Sequence, residues 1–338
     1  MKMKISLDAY KGTLHRYYIV GCAVRDSTSL GFMVVRWYTD EEVEEEEREG
    51  YDPRLREKRL VTFYTDLQPT SQWGATDLEG WNYSTIAGSQ KPKGQLIAAE
   101  LDDKIYVIGS GDRYYDMSFL DEGSPVRGGV SRLKRIKDHV YVCGSLRSVA
   151  KMIGKNEWLS YSHLIPKQPD QTYGGFNDID GFEDNDIYAV GGKGDVFRFD
   201  GINWHQIEFP SNIRLTNVCC GGDGNVYISG TGGVTFIGRN NKWTKISEGN
   251  LNIGFKDMVW FGDRVWCTND YGVWTIHKNK VKPADLPGEI AVCAGYLSVA
   301  DGVMLLGGLG GAAFMQNGKW ENIYLRNEME DLADEQSA

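Results

Sequence analysis

Read for the alternation of apolar and polar positions, the second half of the chain repeats itself. Five runs can be laid over one another: His139-Val140-Tyr141-Val142-Cys143-Gly144, Asp186-Ile187-Tyr188-Ala189-Val190-Gly191, Asn225-Val226-Tyr227-Ile228-Ser229-Gly230, Arg264-Val265-Trp266-Cys267-Thr268-Asn269 and Gly302-Val303-Met304-Leu305-Leu306-Gly307. A sixth, weaker copy is Lys104-Ile105-Tyr106-Val107-Ile108-Gly109. Each is short, rich in β-branched and aromatic residues and bounded by turn residues, which predicts a strand. From the first Val or Ile of each copy the steps are 35, 47, 39, 39 and 38 residues. Such a period matches the four-stranded blade of a β-propeller, about 40 to 50 residues.

The neighbours of the motif repeat as well. A strand such as Thr216 to Cys220 precedes it, a Gly-rich turn and a strand such as Gly233 to Arg239 follow, and a polar turn leads to a last strand opening on Trp. Those tryptophans are Trp158, Trp204, Trp243 and Trp320, with Val281 in the remaining repeat. One shared register predicts packing between blades rather than ligand stacking. Four further strand-like runs, Tyr17 to Val24, Gly31 to Tyr38, Arg59 to Tyr64 and Trp81 to Ala87, predict a divergent first blade over residues 1–99. With six repeats over 100–325 the expected fold is all-β, a single seven-bladed propeller of four-stranded antiparallel blades spanning 1–338.

The VYxxG strand, the GxV strand and the strand opening on Trp resemble the repeats of BNR-like and photosystem-assembly-factor-like bacterial propellers, over roughly residues 100 to 325. The resemblance implies the fold and a binding role. Sialidases of that broad group carry S-x-D-x-G-x-x-W turns, whereas the corresponding turn Gly238-Arg239-Asn240-Asn241-Lys242-Trp243 lacks the Ser-x-Asp core. In architecture the chain also resembles propeller-type immunity proteins of secreted antibacterial toxins.

Composition narrows the functional classes. The formal net charge of −10 disfavours nucleic acid and anionic lipid as direct partners and favours a basic one. The first residues meet Asp8 before any apolar run long enough for a signal peptide, and no 18-residue apolar stretch occurs, so a cytoplasmic location is expected. Cys22, Cys143, Cys219, Cys220, Cys267 and Cys293 form no CxxC pair, and most lie in apolar strand patterns, which predicts unpaired, buried thiols and no metal site. There is no HExxH, GxSxG or GxxxxGK[ST] motif, and His15, His139, His163, His205 and His277 share no register. No catalytic residue and no cofactor is therefore expected.

What remains is a binding face. Aligning Leu133, Ile179, Val218, Met258 and Ile290 on the first strand of each blade puts Arg132, Asp178, Asn217, Asp257 and Glu289 at one position, expected to ring the channel mouth. Tyr173, Phe176 and Phe255 in the connections, and Tyr114 and Tyr115 in a turn, are expected to add aromatic anchors on that face. Two acidic tracts, an insertion within 40–58 and the tail 326–338, are expected to be solvated, the first projecting from the rim. The function expected from these features is protein binding by a monomeric propeller, as an immunity protein against a basic toxin such as a nuclease from a type VI-like secretion system. An assembly factor or scaffold, and a glycan-acting enzyme using Asp178, Asp257 and Glu289, stand as alternatives; the second needs convergent carboxylates in a deep pocket.

Overall fold

The repeated motif becomes the second strand of a four-stranded antiparallel sheet: His139–Gly144, Asp186–Gly191, Val226–Gly230, Arg264–Asn269 and Val303–Gly308. The protein is described by a computed structural model covering residues 4–102, 104–120, 123–167, 174–246 and 251–335. Seven such sheets are present, as blades 1 to 7 over residues 17–78, 84–116, 130–160, 176–206, 215–245, 257–283 and 295–325. Inner strands of successive blades touch all the way round, and blade 7 meets blade 1 to close the ring.

The apolar face of each sheet is buried against the next, giving seven separate cores, one per blade interface. Trp204, for example, stacks on Phe199 at 5.4 Å in the core between blades 3 and 4. Trp320 meets Trp266 edge-on at 5.9 Å between blades 6 and 7. The glycine that ends the motif has a steric cause: a Cβ on Gly144 or Gly191 would lie 2.1 or 2.0 Å from the carbonyl oxygen of Gly129 or Gly175, where the chain enters the inner strand. Cys143, Cys219, Cys267 and Cys293 are buried and unpaired, as predicted, and burial raises each thiol pKa.

The N-terminal third differs from the expectation. Blade 1 takes Trp73–Leu78 as its outer strand, and Trp81 to Ala87 instead leads into the inner strand of blade 2, Ser84–Ser89. The weak copy at Lys104 to Gly109 supplies the third strand of blade 2, Ile105–Gly109; its second strand is Gln95–Glu100. Third strands alternate like second strands, so the pattern alone does not separate them.

Among the described residues four short α-helices decorate the ring: α1 (Leu7–Thr13), α2 (Asp40–Glu49), α3 (Gly288–Ala291) and α4 (Arg326–Glu335). The acidic insertion is a helix because Thr39 and Glu42 form a reciprocal capping box, carboxylates fill its first turn, and Gly50 ends it at φ 70°. The acidic tail forms α4, which buries Met329 and Ala333 against the terminal core. There Tyr10 of α1 donates to Glu330 at 2.6 Å, and the Lys4 N–H donates to the Ile323 carbonyl at 2.9 Å. These contacts latch blade 1 to blade 7.

Candidate functional site

The inner strand of each blade has one edge with no strand beside it, so its N–H groups need other acceptors. The neighbouring blade supplies them. The Val218 N–H donates to Asp178 (2.9 Å), Cys220 to Asp180 (2.8 Å), Leu297 to Asp257 (3.1 Å), Leu133 to the Thr85 hydroxyl (3.2 Å) and Val24 to the Ser298 hydroxyl (2.9 Å). The Asn217 amide donates to the Lys256 carbonyl at 3.1 Å. Arg132, Asp178, Asn217 and Asp257 do share one register, as aligned, and there each bonds to another blade.

Glu289 does not join them. It lies in α3, and the inner strand of blade 7 is Gly295–Ala300, with Tyr296 at the matching position. The run Ile290-Ala291-Val292 reads as a strand in sequence, but it follows Pro287 and coils into one helical turn.

Three of the channel residues form a bridge across the axis. Arg132 of blade 3 donates to Asp257 of blade 6 at 2.5 Å and lies 3.7 Å from Asp178 of blade 4. Lys134 reaches the Met258 carbonyl at 3.4 Å. Burial raises the Asp178 carboxyl above the usual range and pushes Asp180 up to about 6. Burial opposes ionisation of Asp257 too, yet the Arg132 and Lys134 charges hold it below its ordinary value. Asp178 and Asp257 are each only 1% exposed. They lie beneath the channel mouth rather than around it, with their charge already matched by Arg132 and Lys134.

The expected aromatic anchors are likewise dispersed. Phe176 and Phe255 are buried in the cores between blades 3 and 4 and between blades 5 and 6. Tyr114 and Tyr115 sit on the outer strand of blade 2, Asp112–Asp116, at the circumference, where Tyr114 lies under Lys155 and Tyr115 packs edge-on to Tyr106. Tyr173 lies outside the described residues. A groove of about 690 Å³ at the seam between blades 7 and 1, lined by Phe63, Trp73 and Trp320, is also on the circumference. Among the described residues no group of three His, Cys, Asp or Glu could hold a metal ion, and no helix is long and apolar enough to cross a membrane.

The signal that sequence reasoning missed is an asymmetry between the two faces. On one face, tight turns join the first strand of a blade to the second and the third to the fourth. On the other, loops join the second strand to the third and each blade to the next, and bridges such as Ser145 to Gly175 and Lys193 to Arg214 tie those loops together. This loop face carries the long connections, including 37–57 with α2, as well as α1, α3 and α4. Of seventeen exposed large apolar side chains among the described residues, only Leu67, Tyr115, Ile153, Leu159 and Ile202 lie elsewhere; the other twelve are on the loop face. Exposed apolar side chains gathered on one face of loops mark an interaction surface.

No protein-family model matches the chain. Over 258 residues it is 29% identical to the immune protein Tsi7 of Pseudomonas aeruginosa, covering 74% of this chain and 84% of that protein. In structure it resembles the WD40 β-propeller domain of Doa1, with a TM-score of 0.59 at 13% identity over 90% of this chain and 94% of that one. It also resembles YCF48 bound to D1 peptide, with a TM-score of 0.58 at 11% identity over 89% and 94%. At such identities the two structures speak to the propeller fold alone.

Proposed function

We propose that this chain is an immunity protein that neutralises a toxin by binding it on the loop face, without catalysis. The observation that carries the reading is the identity with an immune protein over most of both chains. The loop face supports it, being the side where apolar groups are exposed and connections are long. The channel charges support a non-catalytic role, because Asp178 and Asp257 are engaged in holding blades and the third expected carboxylate, Glu289, lies elsewhere.

The finer reading is that the toxin is basic, a nuclease delivered by a type VI-like secretion system, met in the cytoplasm by a monomeric propeller. The net charge of −10 favours such a partner, since a nuclease must present cations to its polyanionic substrate. The test is growth of a sensitive bacterium expressing the cognate toxin domain in the cytoplasm, with and without this chain. Restored growth with intact chromosomal DNA is expected. Unrelieved killing despite soluble expression of the chain would overturn the reading.

A further inference from the structure

The loop face is not uniform. Over blades 6, 7 and 1, Val292 (54% exposed) in the loop entering blade 7 abuts the 309–310 turn, where a Cβ on Gly310 would lie 2.3 Å from the Val292 carbonyl oxygen. Leu309 in that turn is 58% exposed. The chain then runs on from the same turn through the Arg326 N–H, which donates to the Gly310 carbonyl at 2.9 Å, and the Arg326 guanidinium lies 5.6 Å from the Trp37 ring. Trp37 is 44% exposed and stands at the foot of α2. Val292 and Leu309 thus adjoin, the Arg326 segment carries the strip on to Trp37, and among the described residues the three side chains stay exposed.

The segments around this strip are rich in carboxylates. In the segments 37–57, 270–271, 284–294, 309–310 and 326–335 there are eighteen Asp and Glu against four Arg. Glu289 stands one helical turn before Val292, and α2 buries none of its residues. Six of these acids are engaged internally: Glu42 pairs with Arg16 and Arg36, Glu46 with Arg56, Asp52 with Arg54, Glu57 with Arg36, Asp270 with Lys256, and Glu330 accepts from Tyr10. Asp40, Glu41, Glu44, Glu45, Glu47 and Glu49 face solvent. An apolar strip inside a negative rim excludes an acidic or neutral partner by desolvation and like-charge repulsion, and selects a cationic one.

We propose that this strip is the seat of the toxin, and that it takes a cationic segment carrying an apolar side chain between lysines or arginines. The proposal rests on the immunity reading. The apolar side chain packs on Val292, Leu309 and Trp37, while the flanking cations meet Glu289 and the outer carboxylates of α2. The desolvated centre sets the lifetime of the complex, and the acidic rim sets its rate of formation.

The test uses the toxin domain whose killing the wild-type chain relieves, immobilised for binding kinetics. Val292→Arg with Leu309→Arg should weaken binding about 30-fold or more, mostly through faster dissociation. Lys167→Glu with Arg214→Glu, on the loops of blades 3 to 5, should leave affinity within about twofold. Both double variants change exposed loop side chains, and unchanged thermal midpoints will verify that they fold. If wild type relieves no toxin, the immunity reading fails. If it does, and the Val292/Leu309 variant binds and protects like wild type while folded, the seat is elsewhere and this proposal fails alone.

Discussion

Blades 6, 7 and 1 and blades 3 to 5 present the same architecture on the loop face, yet they differ in surface. The first sector gathers α2, α3 and α4, the strip of Val292, Leu309 and Trp37, and most of the acidic charge. In the second, the described loop residues of 145–147, 161–167, 192–194 and 207–214 carry Arg147, Lys167, Lys193 and Arg214 against Glu208 alone. Arg147 is moreover buried, donating to Asp195 through Nε at 2.7 Å. A propeller repeats its core because every blade interface needs the same burial, and it diverges in the loops because nothing in the core depends on them. The side that departs furthest from the repeat is therefore the one on which the proposed partner surface lies.

The two sectors are tied through the channel, and the largest expected effect comes from cutting that tie. Asp257→Ala leaves Arg132 without its 2.5 Å partner and the Leu297 N–H without an acceptor. It should cost about 3 kcal/mol in denaturant unfolding, whereas truncating exposed Lys167 should change stability by less than about 0.5 kcal/mol. Lysine at 178 or 257 should abolish protection by lowering the amount of folded protein, so loss of activity there is no evidence of a contact surface.

Next in size is charge reversal on α2. Glu41→Lys, Glu44→Lys and Glu45→Lys together should slow association with the toxin about tenfold at low salt, with the difference shrinking as salt is raised. The matching reversal on blades 3 to 5, Lys167→Glu with Arg214→Glu, should leave association equal or slightly faster. Equal slowing by both sets would erase the distinction between the sectors.

Much of this was legible beforehand, but unevenly. The period, the tryptophan register and the buried cysteines come straight from alternation, because a strand packed on both faces has few other sequences open to it. The alignment that placed Arg132, Asp178, Asn217 and Asp257 together was right in register, as the inter-blade bonds at 40-residue offsets attest. Their task was not legible, since which strand edge lacks a partner is settled only when the ring closes. Glu289 was misplaced because Ile290-Ala291-Val292 reads as strand. Val292 and Leu309 were missed for a related reason: in sequence an apolar residue beside a strand reads as core, and only the fold puts these two at the tips of connections.

Smaller effects probe how far each sector depends on local structure. Thr39→Ala removes the capping box of α2 and should cost that helix about 1 kcal/mol, seen as faster amide exchange over 40–49 with the global unfolding midpoint unchanged. The bonded amides of blades 3 to 5 should exchange as before. The smallest effect is on pH. Asp180 has its pKa raised to about 6 from an ordinary 3.8, so the folded state binds a proton more tightly than the unfolded chain and gains stability from this group as pH falls through 6 towards 4. Asp180→Asn removes that contribution. Between pH 7.5 and 5 the wild-type thermal midpoint should gain about 2 °C on the variant's; a change of the opposite sign would mean that the fold holds the Asp180 carboxyl below its ordinary value and draws stability from its ionised form at neutral pH.

The most direct test of the central claim is hydrogen exchange of the free chain and of its complex with the toxin domain, compared segment by segment. The account predicts slowed exchange on binding over 37–49, 284–294, 309–310 and 326–335, with 145–147, 161–167, 192–194 and 207–214 unchanged. Slowing confined to the second set, or to the tight turns on the opposite face, would contradict it.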